Sequence, residues 1–201
     1  MPDAIDFWFS TGSTYTYLAV SCLGKVAAAE GIRFNWRPFS VRAIMREQNN
    51  TPFAGKPVKM GYMWRDIERR AALYGLEARV PAPYPLQEFD LANRLALLGL
   101  DEGWGKPYIA ASYRRWFVDG HEPGLDPNLS ASLREVGQDP GRVVEQARSE
   151  RIGQPYQAAT DEARGLGIFG SPTFAVHGEL FWGDDSLDDA LCWLRHGRLT
   201  S

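Results

Sequence analysis

Two stretches of strand-like alternation sit at opposite ends of this chain with only helical periodicity between them, and that arrangement limits the folds open to it. Near the N-terminus, AIDFWF sets Ile5, Phe7 and Phe9 against Asp6 and Trp8, an aromatic-rich alternation that predicts a strand buried on at least one face. TYTYLAVSCLGKVAAAEG then carries Leu18, Val20, Leu23 and Val26 at helical spacing, and Gly31 is placed to stop the helix in a left-handed turn. IRFNWRPF resumes the alternation with Ile32, Phe34 and Trp36. Strand, helix and strand joined by a crossover of this length imply a parallel, right-handed pair. At the other end, TFAVHGELFWG is two short apolar runs around His177-Gly178, a tight hairpin turn. DDSLDDALCWL follows as an amphipathic helix with acids in its first turn, where the helix dipole favours them.

From Ser40 to about Gly165 the periodicity is helical throughout. VKMGYMWRDIERRAALYG is the clearest helix, stopped by Gly75; VPAPYP is a proline-rich connector; LQEFDLANRLALLGLDEG and PYIAASYRRWFVDG are further helices. Asp139-Pro140 reads as a cap and first-turn proline opening another, and YQAATDEARGLG is the last before the hairpin. The order is therefore β-α-β, a helical block, then helix, hairpin and helix. We expect an α/β thioredoxin-like fold formed by residues 1–40 and 166–201, with an all-helical insertion over 41–165.

With 201 residues, 44% of them hydrophobic, the chain can bury one sizeable core. Its net charge is −3 and its basic residues are interspersed with acids, so the pattern offers no footprint for nucleic acid or an anionic membrane surface. MPDAIDFWF does not read as a signal peptide, and no apolar run reaches the length of about 18 residues that suggests a transmembrane helix. A cytoplasmic location is expected. Cys22 and Cys192 lie far apart in helical patterns and read as buried small hydrophobes, while His121, His177 and His196 lack ligand spacing, so no metal site is expected.

Two short motifs carry chemistry, and the expected fold brings them face to face. STYT, Ser13 to Thr16, opens the first helix; GSPT, Gly170 to Thr173, immediately precedes the hairpin. Unpaired N–H groups and the positive dipole end at a helix N-terminus stabilise a thiolate, and a hydroxyl there adds one more hydrogen bond. Thiol-disulfide enzymes place C-x-x-C at this point. Here it is S-x-x-T, so the chain cannot form a disulfide there and the thiol must arrive with the ligand. Ser13 also suits a plain helix cap. A cis Ser171-Pro172 bond would leave the Ser171 backbone free to pair with a peptide-like ligand as an added strand.

DFWFSTGSTYTYLA, NNTP, VKMGYMWRDIERRAALYG and GIFGSPTFAVHGELFWGDDSLDDAL, in that order, resemble the 2-hydroxychromene-2-carboxylate isomerases and, more distantly, the kappa-class glutathione transferases, in the DsbA-like branch of the thioredoxin fold. The resemblance covers nearly the whole chain. It implies glutathione as the thiol-bearing ligand, with Ser13 as the catalytic serine bonded to its sulfur and the Ser171-Pro172 loop holding its cysteinyl part. It implies that Asp184 and Asp185 bind the γ-glutamyl end, Asp185 being the closer match, and that Asn50 and Lys59 stand at the pocket mouth. The family usually has proline after the serine, and this chain has Thr14, which leaves the substrate class open. Trp8, Tyr15, Trp64 and Trp116 are candidate linings for an aromatic substrate, although aromatics at such spacings commonly belong to the core.

The expected activity is a glutathione-dependent isomerisation in which the thiolate adds to a conjugated aromatic pyran carboxylate, the ring opens, rotation follows and elimination returns glutathione. Alternatives are a kappa-like transfer to an electrophilic small molecule and a module that binds a thiol or peptide without turnover. The absence of C-x-x-C counts against a disulfide oxidoreductase. Members of the resembling family are often dimeric, so a homodimer is also expected.

Overall fold

The computed structural model describes residues 4–50, 53 and 55–200. Strand β1 (Ala4–Phe9), helix α1 (Thr14–Glu30) and strand β2 (Arg33–Pro38) form the expected crossover, with β1 and β2 parallel and Phe7 in register with Trp36. Gly31 terminates α1 at φ +66°, a conformation that costs glycine no Cβ clash. Helices α2 (Val41–Glu47), α3 (Pro57–Leu73), α4 (Phe89–Glu102), α5 (Gly105–Phe117), α6 (Asn128–Glu135), α7 (Pro140–Arg148) and α8 (Glu150–Gly165) follow. The Asp139 carboxylate caps α7 by accepting from Arg142 N at 2.7 Å. Strands β3 (Thr173–Val176) and β4 (Glu179–Trp182), a 3₁₀ turn (Asp184–Ser186) and α9 (Leu187–His196) complete the chain. His177 and Gly178 both take positive φ between β3 and β4, the backbone that a two-residue hairpin loop requires.

The sheet order is β2-β1-β3-β4, with β3 antiparallel to β1 and to β4. β1 is central and buried on both faces. Ile5, Phe7 and Phe9 point into a core shared with Leu18 and Leu23 of α1, Phe174 of β3 and Leu191 of α9. That core continues without a break into α3, α4 and α5 through Ile67, Leu95, Tyr113 and Phe117. The opposite face carries Trp8, fully buried with Phe39, Val41, Ile44, Ala163 and Ile168 under α2 and α8. Burying each such side chain contributes about 1.5–3 kcal/mol. Trp8 is therefore core on the far side of the sheet rather than a pocket aromatic. Trp116 is also fully buried, its indole donating to Pro83 O at 2.8 Å. Among the described residues no helix is long and apolar enough to cross a membrane.

Candidate active site

β1 delivers the chain to Ser10-Thr11-Gly12-Ser13, and α1 begins at Thr14. Ser13 occupies the position before the helix in an extended conformation, yet its side chain makes no cap bond. Its Oγ instead donates to the carbonyl of Ser171 at 2.6 Å. The first-turn amides of α1 thus have no side-chain acceptor, which leaves donors and the positive dipole end available to an anion.

The GSPT loop is locked onto this start. Ser171 Oγ, buried, accepts from Ser10 N at 2.8 Å and bonds Thr16 Oγ1 at 2.9 Å. The Ser171-Pro172 peptide is cis, and Pro172 O accepts from Gly183 N at 3.0 Å. Gly170 lies against the Trp182 indole with no room for a Cβ. Of the two Ser171 backbone groups expected to face a ligand, the carbonyl already accepts from Ser13 and keeps a second lone pair for a ligand N–H. The Ser13 hydroxyl is free to rotate about its Cβ–Oγ bond, so its proton can be redirected from Ser171 O toward the cavity.

The helical segment supplies a second set of ties. Asn93 of α4 is fully buried, and all four of its hydrogen-bonding positions are used. Its Oδ1 accepts from Thr11 N (2.8 Å) and Thr11 Oγ1 (3.1 Å); its Nδ2 donates to Ser10 Oγ and Phe89 O, both at 3.1 Å. The Tyr113 hydroxyl of α5 is shared between Ser10 O (3.1 Å) and Ser13 O (3.2 Å). Gly12 has to be glycine, because a Cβ there would sit 2.9 Å from the Phe89 ring.

Above this floor opens a cavity of about 800 Å³ bounded by the start of α1, by α2 and α3, by Tyr84-Pro85 and by the 3₁₀ turn. Ser13, Asn50, Ser171, Asp184, Asp185, Tyr15 and Lys59 all line it. Pro172 lies in the loop behind Ser171. Trp64 does not line the cavity; it stacks edge-on against Tyr84, which does, with ring centroids 6.0 Å apart. Trp8 and Trp116 are excluded by their burial in the core. Thr51 and Pro52 of NNTP fall outside the described residues.

The two aspartates expected at the γ-glutamyl end differ. Asp184 is buried and accepts from Arg70 Nε at 2.9 Å and Nη2 at 2.6 Å, so its carboxylate is engaged by α3. Burial raises its pKa from the ordinary aspartate value, against the pull of Arg70. The side chain of Asp185 is 66% exposed and touches Arg70 Nη1 only at 3.9 Å, which leaves it able to meet a ligand cation. Tyr15 donates from its hydroxyl to Asp66 Oδ2 at 3.1 Å. Burial, reinforced by the Asp66 charge, raises the Tyr15 phenol well above its ordinary range and keeps it protonated.

Several lining residues escaped the sequence reading. Arg42, Arg46 and Lys56 join Lys59 to make one wall cationic, and Arg70 and Asp66 face the cavity from α3. A helical repeat does not reveal which charged face looks inward. Asn93 left a legible trace, as a polar residue within the apolar run LANRLALL. Among the described residues no group of three His, Cys, Asp or Glu side chains could hold a metal ion.

The profile of the DSBA-like thioredoxin domain matches residues 4–191. The chain is similar to a 2-hydroxychromene-2-carboxylate isomerase of Sphingobium xenophagum, 29% identical over 94% of this chain and 96% of that protein. It is also similar to glutathione S-transferase kappa 1 of Caenorhabditis elegans, 25% identical over 87% of this chain and 81% of the other. A solved 2-hydroxychromene-2-carboxylate isomerase superposes with a TM-score of 0.81 at 24% identity, covering 98% of this chain and all of that one. These relatives place the chain among enzymes of the isomerase and glutathione transferase type. With the β-α-β start, the parallel β1-β2 pair and the β3-β4 hairpin, the match shows that the chain belongs to the DsbA-like thioredoxin domain family.

Proposed function

We propose that the protein is a glutathione-dependent isomerase of 2-hydroxychromene-2-carboxylate-like substrates, with the glutathione thiolate as nucleophile at the start of α1. The observation that carries this reading is the uncapped first turn of α1, with the Ser13 hydroxyl on the floor of a cavity large enough for a ligand. The sulfur takes the first-turn amides and the Ser13 proton; the Ser171-Pro172 loop holds the cysteinyl part through the Ser171 backbone. Asp185 meets the γ-glutamyl ammonium, and Asp184 keeps the 3₁₀ turn docked on Arg70. Asn50 and Lys59 stand at the mouth. The cationic wall suits an electrophile that bears a carboxylate, and Tyr15 contributes to its aromatic surroundings. The setting is the cytoplasm, where thiols are kept reduced. The homodimer implied by the family resemblance is part of the proposal and is checked by sedimentation equilibrium.

Calorimetric titration with glutathione tests the reading. We expect micromolar to millimolar affinity, weakened in Asp185→Asn with little change in the chemical step, since that carboxylate meets the end of the ligand remote from sulfur. Absence of binding at several millimolar glutathione would refute it, and unchanged affinity in Asp185→Asn would return that residue to a purely helix-initiating role. The kappa-class relatives favour a second reading, transfer of glutathione to the electrophile. Mass spectrometry separates the two, because an isomerase returns free glutathione and a transferase product retains it.

A further inference from the structure

The isomerase reading leaves a proton unaccounted for. A 2-hydroxychromene-2-carboxylate is a cyclic hemiketal, and opening its ring requires the hydroxyl proton to leave one oxygen while another oxygen gains one. Ser13, the first-turn amides, Arg42, Arg46 and Lys59 present donors to the cavity, so the acceptor must be found elsewhere. Of the carboxylates that line it, Asp184 is committed to Arg70, and Asp185 sits on the 3₁₀ turn at the end assigned to glutathione. Asp66 remains.

Asp66 reaches the cavity from α3 and accepts from the Tyr15 hydroxyl, two residues beyond Ser13 on the first turn of α1. Its other oxygen accepts from Arg69 Nη2 at 3.1 Å, which fixes the carboxylate. With its own proton directed at Asp66, the Tyr15 oxygen keeps acceptor capacity for a ligand hydroxyl. The charged and titratable groups around the pair are Arg69, Arg70, Asp184 and Tyr62. We infer that Tyr15 and Asp66 form a proton relay that moves the substrate's hydroxyl proton to its ring oxygen. This assignment rests on the isomerase reading above.

The step balances within the site. The hemiketal O–H breaks and its proton passes to the Tyr15 oxygen as the Tyr15 proton passes to the Asp66 carboxylate; the hemiketal oxygen becomes a carbonyl. The ring C–O bond breaks with its electron pair going to the aromatic oxygen. Asp66 then returns its proton through Tyr15 to that oxygen, giving a phenol and restoring both side chains. Tyr15 is the group that touches the substrate, and Asp66 acts through it. Conjugation of a haloarene expels chloride and uses no such exchange between oxygens.

The test compares the two reactions in the full-length enzyme, with 2-hydroxychromene-2-carboxylate as one electrophile and chlorodinitrobenzene as the other. In Asp66→Asn and Tyr15→Phe the ratio of isomerisation kcat to conjugation kcat should fall about 10²-fold, the range for loss of acid–base assistance. Bound glutathione should still show its thiolate absorbance, the wild-type isomerisation should show a solvent deuterium isotope effect, and Asp66→Glu should recover part of the rate. Equal loss in both reactions would make the pair structural and overturn the relay, as would unchanged isomerisation in Asp66→Asn. A wild-type enzyme that binds glutathione but does not isomerise would fail the reading of the site itself, and the relay with it.

Discussion

Ser13 and Thr16 occupy the two ends of one short motif, and their hydroxyls sit in different surroundings. Ser13 lines the cavity and donates to the Ser171 carbonyl, whereas Thr16 is fully buried and bonded to Ser171 Oγ; in the proposed complex the Ser13 proton turns to the sulfur. A hydrogen bond to a charged sulfur contributes about 1.5–3 kcal/mol, so Ser13→Ala should raise the pKa of bound glutathione and slow turnover by about one to two orders of magnitude. Thiolate absorbance against pH is the measurement. Thr16→Ala should instead lower the melting temperature with little effect on that titration, and a larger thiol shift in Thr16→Ala would place the sulfur elsewhere. Cys22 is a residue-scale case of a different kind. Burial, together with the nearby Asp184 charge, pushes its thiol up to about 11, while Sγ lies 3.1 Å from Ala19 O. At neutral pH it should therefore react with iodoacetamide more slowly than free cysteine, as peptide mass spectrometry would show. The folded chain holds this proton longer than the unfolded chain does. Its contribution to stability is thus complete below the ordinary thiol value and is lost as pH rises through about 11. Thermal melts of the wild type and Cys22→Ala across that window check the sign.

At the scale of elements, the start of α1 is held by helices far away in sequence. Asn93 on α4 satisfies Thr11 N, and Tyr113 on α5 satisfies the Ser10 and Ser13 carbonyls, so the geometry around Ser13 depends on the helical segment as much as on the sheet. Asn93→Ala would leave the buried Thr11 N–H without its acceptor, costing about 1–3 kcal/mol. Urea denaturation should show that loss with an unchanged slope, and glutathione affinity should drop with it because the first turn of α1 is no longer fixed. Full stability in Asn93→Ala would mean that another group replaces the side chain. Much of this level was legible in the sequence. The β-α-β start, the hairpin at His177-Gly178 and the capped α7 depend on local periodicity and turn chemistry, and each is present. The short α2 and α6 were hidden because seven or eight residues span barely two helical turns, too few to show a periodic stripe.

Across the whole molecule, a ligand of this cavity would couple to folding, because a cavity assembled from α1, α2, α3, the GSPT loop and the 3₁₀ turn exists only when all of them are docked. Glutathione at about a hundred times its dissociation constant should stabilise the native state by about 2.7 kcal/mol, which for a chain of this size is a rise of about 5–10 °C in Tm by scanning calorimetry. An unchanged Tm at that saturation would mean that the unfolded chain binds equally well. The sequence by itself determined the order of elements, the parallel β1-β2 pair, the lack of a C-x-x-C thiol pair and the two motifs that meet at the site, because each of these is encoded in local spacing or in residue identity. Only the tertiary structure decided which of the candidate residues face one another. Trp8 and Tyr15 looked alike as pocket aromatics, yet β1 turns Trp8 into the far core while the first turn of α1 carries Tyr15 to Asp66. Asp184 and Asp185 are neighbours in sequence, but one is captured by Arg70 and the other is left exposed. These outcomes depend on the packing of α2 and α8 over β1 and of α3 against the start of α1 and the 3₁₀ turn, contacts between segments distant in sequence that no local periodicity specifies.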